Sequence, residues 1–268
     1  MKTIIKIKII LFFALSIFYS ASFAQSNSSN TQTVCVGSVE NYRVNNPNSN
    51  NFEWNLTTPS GNTLDSLYDI SDDDDSIRIT WNNVGTFNLE VLEKDNNGCD
   101  GTPVNLTVNV VSLPNVISSS SSLTNEVCSG NSVQIQATGA VSYLWSNGAT
   151  TANDSVSPTV QTTYTVVGTD ANGCENTDAV TISVNQLPNV AINNVNPVCL
   201  GQVATLQASG ASSFLWDNGS VNSNITVSPT LTQSTFSVVG TDLNGCEDTA
   251  QITIIVNQPP STGPIFHN

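Results

Sequence analysis

Internal repetition constrains this chain more than any other feature. One unit opens at Val127-Cys128, passes through Tyr143-Leu144-Trp145-Ser146-Asn147-Gly148 and Val156-Ser157-Pro158-Thr159, and closes on Asp170-Ala171-Asn172-Gly173-Cys174. The next opens at Val198-Cys199 and repeats the motifs as Phe214-Leu215-Trp216-Asp217-Asn218-Gly219, Val227-Ser228-Pro229-Thr230 and Asp242-Leu243-Asn244-Gly245-Cys246. Cys128 maps to Cys199, Trp145 to Trp216 and Pro158 to Pro229, all at one common offset; a single insertion then lengthens the offset from Cys174 to Cys246 and from Val184 to Val256. A looser first copy opens at Cys35, carries Trp54 and closes on Asp95-Asn96-Asn97-Gly98-Cys99. A fixed period of this length marks an array of like domains.

Each copy reads as strands. Val133, Ile135 and Ala137 alternate with Gln134 and Gln136. Leu106, Val108 and Val110 do the same in the first copy, and Val180, Ile182 and Val184 in the second. Period-two alternation marks a strand with one buried face. Asn147-Gly148 and Asn218-Gly219 tolerate the positive φ of a tight hairpin turn. The Asp-x-Asn-Gly-Cys segments read as a second hairpin turn, with Asp170 and Asp242 placed to accept bonds from the turn backbone. No window carries a helical period. About seven short antiparallel strands per unit are expected.

Units of this length bury a core only marginally. A disulfide closing the segment from Cys128 to Cys174 would stabilise such a unit by up to about 4 kcal/mol in the loop-entropy model. One bridge per repeat is therefore expected: Cys35–Cys99, Cys128–Cys174 and Cys199–Cys246. The boundaries that follow are 1–24, 25–34 as a linker, 35–113, 114–187, 188–258 and a tail, 259–268. Leu113-Pro114-Asn115-Val116 and Leu187-Pro188-Asn189-Val190 are the junctions. The serine run Ser118–Ser122 reads as a flexible joint.

Residues 1–24 have the form of a secretory signal peptide. Lys2, Lys6 and Lys8 precede an apolar run from Ile9 to Phe18, and Ser22-Phe23-Ala24 offers small residues at the cleavage positions. Residue 25 is Gln, so no lipoprotein anchor is expected. After cleavage only Arg43, Arg78 and Lys94 remain basic, against 21 acids, for a net charge of −18. Phosphate backbones and anionic membrane surfaces would be repelled, so neither nucleic acid nor direct membrane insertion is expected. An even cysteine count in an exported chain points to disulfides.

Trp81-Asn82-Asn83-Val84-Gly85-Thr86-Phe87, running into Val91 and closed by Asp95–Cys99, resembles PKD-like domains. The later units resemble the immunoglobulin-like repeats of surface proteins in gliding bacteria that use a type nine secretion system. The resemblance spans residues 35–258. It implies an all-β tandem array of three small antiparallel β-sandwich domains (PKD-like, then Ig-like). Trp145 and Trp216, equally spaced from their opening cysteines, would pack near the bridge. The resemblance also implies a binding or spacer role. The partner would be an envelope protein, either an outer-membrane barrel or a larger adhesin. Adhesins of this group end in a dedicated sorting domain, whereas here only residues 259–268 follow the last repeat, which suits an accessory subunit. Two alternatives stand beside the cell-surface or outer-membrane reading. One is a periplasmic scaffold for a barrel or secretion component, the other a carbohydrate-binding array. The group's short O-glycosylation pattern, Asp followed by Ser or Thr and an apolar residue, fits Ser66, Ser76, Ser155 and Thr249.

Little here suggests chemistry. The single imidazole, His267, lies in the tail, and the cysteines are assigned to bridges, so no nucleophile–base pair is available. No enzyme and no cofactor is expected. Asp72, Asp73, Asp74 and Asp75 supply hard oxygen ligands that suit Ca²⁺, but without the alternating spacing and glycine of a calcium loop they read as a solvated turn. Ile265, Phe266, His267 and Asn268 follow Pro259-Pro260 and have no place in the repeat. They read either as a frayed end or as a partner-binding peptide anchored by Phe266.

Overall fold

The computed structural model describes residues 30–44, 51–58, 68–69, 75–193, 197–231, 234–260 and 263. Every regular element among them is a β-strand. The chain divides into two compact units, one holding residues up to 33 with 41–79 and 85–109, the other holding 34–40, 80–84 and 110–268.

The first repeat supplies β1 (Thr31–Cys35), β2 (Val39–Arg43), β3 (Asn51–Thr57), β4 (Tyr68–Asp69), β5 (Ser76–Thr80), β6 (Gly85–Lys94) and β7 (Val104–Val111). They form sheets in the orders β1-β7-β6-β3 and β2-β5-β4. Residues 31–34, expected in a linker, already belong to a strand. Within the first unit the alternating side chains Leu56, Ile77, Ile79, Phe87, Leu89, Val91 and Val108 are buried.

The second repeat supplies β8 (Ile117–Ser120), β9 (Glu126–Cys128), β10 (Val133–Thr138), β11 (Ser142–Trp145), β12 (Asn153–Val156), β13 (Thr162–Thr169) and β14 (Glu175–Asn185). Two sheets, β12-β10-β8 and β11-β13-β14-β9, enclose one core. Val133, Ile135, Ala137 and Val156 come from one layer and Trp145, Tyr164, Val166, Val180 and Ile182 from the other. This is a β-sandwich. The third repeat follows with β15 (Ala191–Ile192), β16 (Val198–Cys199), β17 (Ala204–Ser209), β18 (Ser213–Trp216), β19 (Asn224–Val227), β20 (Thr235–Thr241), β21 (Glu247–Thr253) and β22 (Val256–Asn257). Its layers are β15-β17-β19 and β18-β20-β21, with β16 paired to β22. Leu206, Ile225, Trp216 and Val238 occupy the equivalent core.

Three expectations change on folding. Most of the serine run is a strand, not a joint: Ser118, Ser119 and Ser120 pair with Ala137, Gln136 and Ile135. A polar run can still be a strand where its backbone completes a sheet edge and Asp178 accepts bonds from Ser118 N–H (2.6 Å) and Oγ–H (2.9 Å). The Asn147-Gly148 turn closes no hairpin, because β11 and the following β12 lie in different sheets, so it carries the chain across the sandwich. No cysteine belongs to either core cluster, so Trp145 packs among aliphatics and Tyr164 and donates from Nε1 to Thr151 O (3.0 Å) rather than lying against a bridge.

The junction motif has a steric cause. A Cβ on Gly139 would sit 1.9 Å from Asn115 O, and one on Gly168 would sit 2.6 Å from Val116 Cγ2. Gly210 and Gly240 stand in the same relation to Asn189 and Val190. The Pro-Asn-Val entry thus packs onto two glycines of the repeat that it introduces.

Candidate functional site

The expected cysteine pairing is overturned. Cys35 bonds Cys174 and Cys128 bonds Cys246, with Cα–Cα distances of 5.6 and 5.5 Å; Cys99 and Cys199 are free and exposed. Each bridge therefore joins the opening cysteine of one repeat to the closing cysteine of the next. No repeat contains a bridge of its own.

Strand direction explains this. Cys128 lies opposite Asn185, the last residue of β14, in a parallel pairing. Cys174 immediately precedes Glu175, the first residue of that strand. Ten strand steps of about 3.3 Å put the two some 33 Å apart, whereas a disulfide needs Cα atoms within about 7 Å. In repeat two the opening and closing cysteines therefore lie at opposite ends of the sandwich, out of bonding reach of each other.

Both ends are built by local chemistry. At the closing end, Asp170 Oδ1 accepts from Asn172 N–H (2.8 Å) and Cys174 N–H (2.9 Å), and Asp242 does the same for Asn244 and Cys246 (both 2.8 Å). Gly173 and Gly245 take φ of 83° and 80°, which a side chain would resist. At the opening end, Asn131 N–H donates to Cys128 O (2.9 Å), and Ser129 N–H donates to Asn185 O (2.9 Å). Beside the Cys128–Cys246 bridge lies an open depression of about 400 Å³ lined by Asn131, Glu247, Asp248 and Thr249. In the first unit, Tyr42, Trp54, Val91 and Leu106 line a smaller apolar groove of about 160 Å³.

Three carboxyls depart from their ordinary behaviour. Hydrogen bonds from Ser118 hold Asp178 below the usual carboxylate range. Backbone donors of Cys99 and Asn97 do the same for Asp95. Burial raises Glu40. Each shift has a structural cause.

The remaining sequence candidates are scattered. Asp72, Asp73, Asp74, Ser66 and the tail Ile265–Asn268 lie outside the described residues, as does the segment 1–24. Asp75 sits in a turn and its carbonyl accepts from Val44 N–H (2.9 Å). No group of three or more potential metal ligands occurs among the described residues. Ser76 is half-buried in β5, while Ser155 and Thr249 are exposed on β12 and β21. Sequence reasoning missed the staggered bridges. The signal was present in the length of the last strand, read against the position of the turn that precedes it.

No family model and no curated protein matches the chain. Solved structures with similarity include a Bacteroides ovatus surface glycan-binding protein of a mixed-linkage glucan utilization locus, in complex with a heptasaccharide (18% identity, 84% of this chain, TM-score 0.26). This chain spans 65% of that protein's length. The mouse nectin-like molecule 4 ectodomain, Ig1–Ig3, aligns at 11% identity over 88% of this chain and all of its own, with a TM-score of 0.37. A bacterial ice-binding adhesin aligns at 12% identity over 85% of this chain and 94% of its own, with a TM-score of 0.28. No role is carried from them to this chain.

Proposed function

We propose that the chain is an exported, non-catalytic spacer and binding protein of the cell envelope, an accessory subunit of a surface adhesion or gliding machine. The observation that carries this reading is the stagger of the bridges. Cysteines bonded in this way belong to an oxidising compartment. The bridges bypass most of the backbone: the shortest covalent path from Cys35 to Cys246 is the segment 128–174 flanked by two disulfides, against the whole backbone 35–246. Fully stretched, these paths reach about 160 Å and about 740 Å. An array wired in this way resists extension even when its sandwiches open, a property suited to a stalk under tension and unrelated to catalysis.

The test is single-molecule stretching between handles fixed before residue 35 and after residue 246. The releasable length between the bridges should stay near the shorter of these two paths until a reductant is added, then rise several-fold. Release of the full backbone without reductant would remove the basis of the proposal. Shaving of intact cells with protease separates the surface site from the periplasmic alternative. The carbohydrate alternative has less behind it, because no aromatic side chain among those described is fully exposed, and the half-buried Tyr42 and Trp54 lie in a groove of only about 160 Å³. The partner is proposed to be an envelope protein engaged by the tail, with Phe266 as anchor. Deleting 261–268 should abolish co-purification while leaving the melting curve unchanged.

A further inference from the structure

The two formed bridges obey one rule, opening cysteine to the closing cysteine of the next repeat. That rule leaves one opening cysteine, Cys199, and one closing cysteine, Cys99, without partners. Both are exposed thiols.

Each is presented on the scaffold that holds a bridged sulfur elsewhere in the chain. Gln202 N–H donates to Cys199 O (3.0 Å), as Ser38 does to Cys35 (3.0 Å) and Asn131 to Cys128 (2.9 Å). The intervening Gly201, Gly37 and Gly130 take φ of 88°, 87° and 79°. Leu200 N–H donates to Asn257 O, as Val36 does to Val111 O and Ser129 to Asn185 O, all at 2.9 Å. At the other kind of site, Asp95 Oδ1 accepts from Asn97 N–H and Cys99 N–H, both at 2.8 Å, repeating the Asp170 and Asp242 turns. Gly98 takes φ of 83°, matching Gly173. Cys246 Sγ lies 4.0 Å from Asn185 O, and Asn257 stands in the place of Asn185 beside Cys199.

We propose that Cys199 of one molecule bonds Cys99 of a second copy of this chain, reproducing between molecules the bridge that joins successive repeats within one. Pairing Cys99 with Cys199 of the same chain would reverse the chain order that both formed bridges keep. The contact is heterologous, since each copy offers a different sulfur, and it therefore propagates head to tail into chains, or into rings where the rotation closes. The bond forms by exchange. A thiolate attacks the disulfide of an oxidant, either an oxidised dithiol carrier protein or oxidised glutathione. The second cysteine's thiolate then displaces the carrier sulfur from the mixed disulfide. One protein disulfide forms, the oxidant's disulfide breaks, and both thiol hydrogens end on the two reduced carrier sulfurs.

The experiment uses the full chain in a glutathione redox buffer, read by non-reducing electrophoresis, light scattering and peptide mapping of a mixture of isotopically light and heavy protein. A ladder of oligomers is expected, with a Cys199–Cys99 peptide that carries both labels. Cys99→Ser alone and Cys199→Ser alone should each remain monomeric, and an equimolar mixture of the two should stop at a dimer. Both cysteines are exposed and outside the cores, so both variants should melt as the parent does. A parent that stays monomeric with two titratable thiols overturns the proposal. So does a Cys99–Cys199 peptide carrying one label only, or dimerisation of either variant by itself.

Discussion

Repeats two and three share their core and their turns but differ in how each takes in the incoming chain. In repeat two, Ile117–Ser120 pairs over four positions with β10, Asp178 holds Ser118, and Asn176 Nδ2 donates to Pro114 O (2.9 Å). In repeat three, Ala191–Ile192 pairs at two positions among the described residues and Asn193 N–H donates on to Gln207 O (3.0 Å), while Asp248 and Ala250 stand where Asn176 and Asp178 stand. The long strand β14 is also continuous over 11 residues, whereas its counterpart is interrupted between β21 and β22. Apolar alternation fixes the sandwich in both. What differs is the side-chain anchoring of the entry, which Asp178 and Asn176 supply in repeat two and Ala250 cannot supply in repeat three.

The largest expected effects fall on what the two repeats share. Trp145 and Trp216 are each 2% exposed, and truncating either to alanine should destabilise its own repeat by about 3–5 kcal/mol. Hydrogen exchange resolved by repeat would read both losses; a loss confined to one repeat would break the equivalence. Gly139→Ala and Gly210→Ala come next. Each places a side chain at φ near +90° against a carbonyl of the entry segment, at a cost of about 1–3 kcal/mol for the backbone alone. Equal losses are expected, read as faster amide exchange in the following strand. If Gly210→Ala were harmless, the entry to repeat three would be looser than its geometry implies.

Smaller effects should separate the repeats. Asp178→Ala removes two bonds to Ser118 and should cost repeat two about 1 kcal/mol, held low by solvent access. Repeat three, with Ala250 in that place, should not change. Acidification offers the same contrast without mutation. Asp178 titrates lower when folded than when unfolded, so its contribution is complete above the ordinary carboxylate range and fades as pH falls through the lowered folded value. Exchange at Ser118 should therefore rise in acid and at Ile192 much less. Parallel behaviour of the two amides would show that Asp178 is not what holds β8.

Much of this was readable in the residues. Val133, Ile135 and Ala137 reveal their strand because side chains alternate faces at a fixed period. Asp170 and Asp242 reveal their turns because a carboxylate at the head of so tight a turn reaches only the amides that close it. Both are local rules, and one sequence suffices for them. The serine run escaped because its strand character comes from β10 and from Asp178, 60 residues away. Cysteine partners escaped for the same reason. Recurrence told that six cysteines belong to three like units, and nothing local to Cys128 says which end of its sandwich it occupies. Only the parallel pairing with Asn185 places it a full strand away from Cys174 and hands it to Cys246. The sequence by itself determined the recurrence of like units, their alternating core strands and their Asp-x-Asn-Gly-Cys turns. The tertiary structure decided how they are joined, because a covalent bond of a few ångströms depends on where distant segments meet.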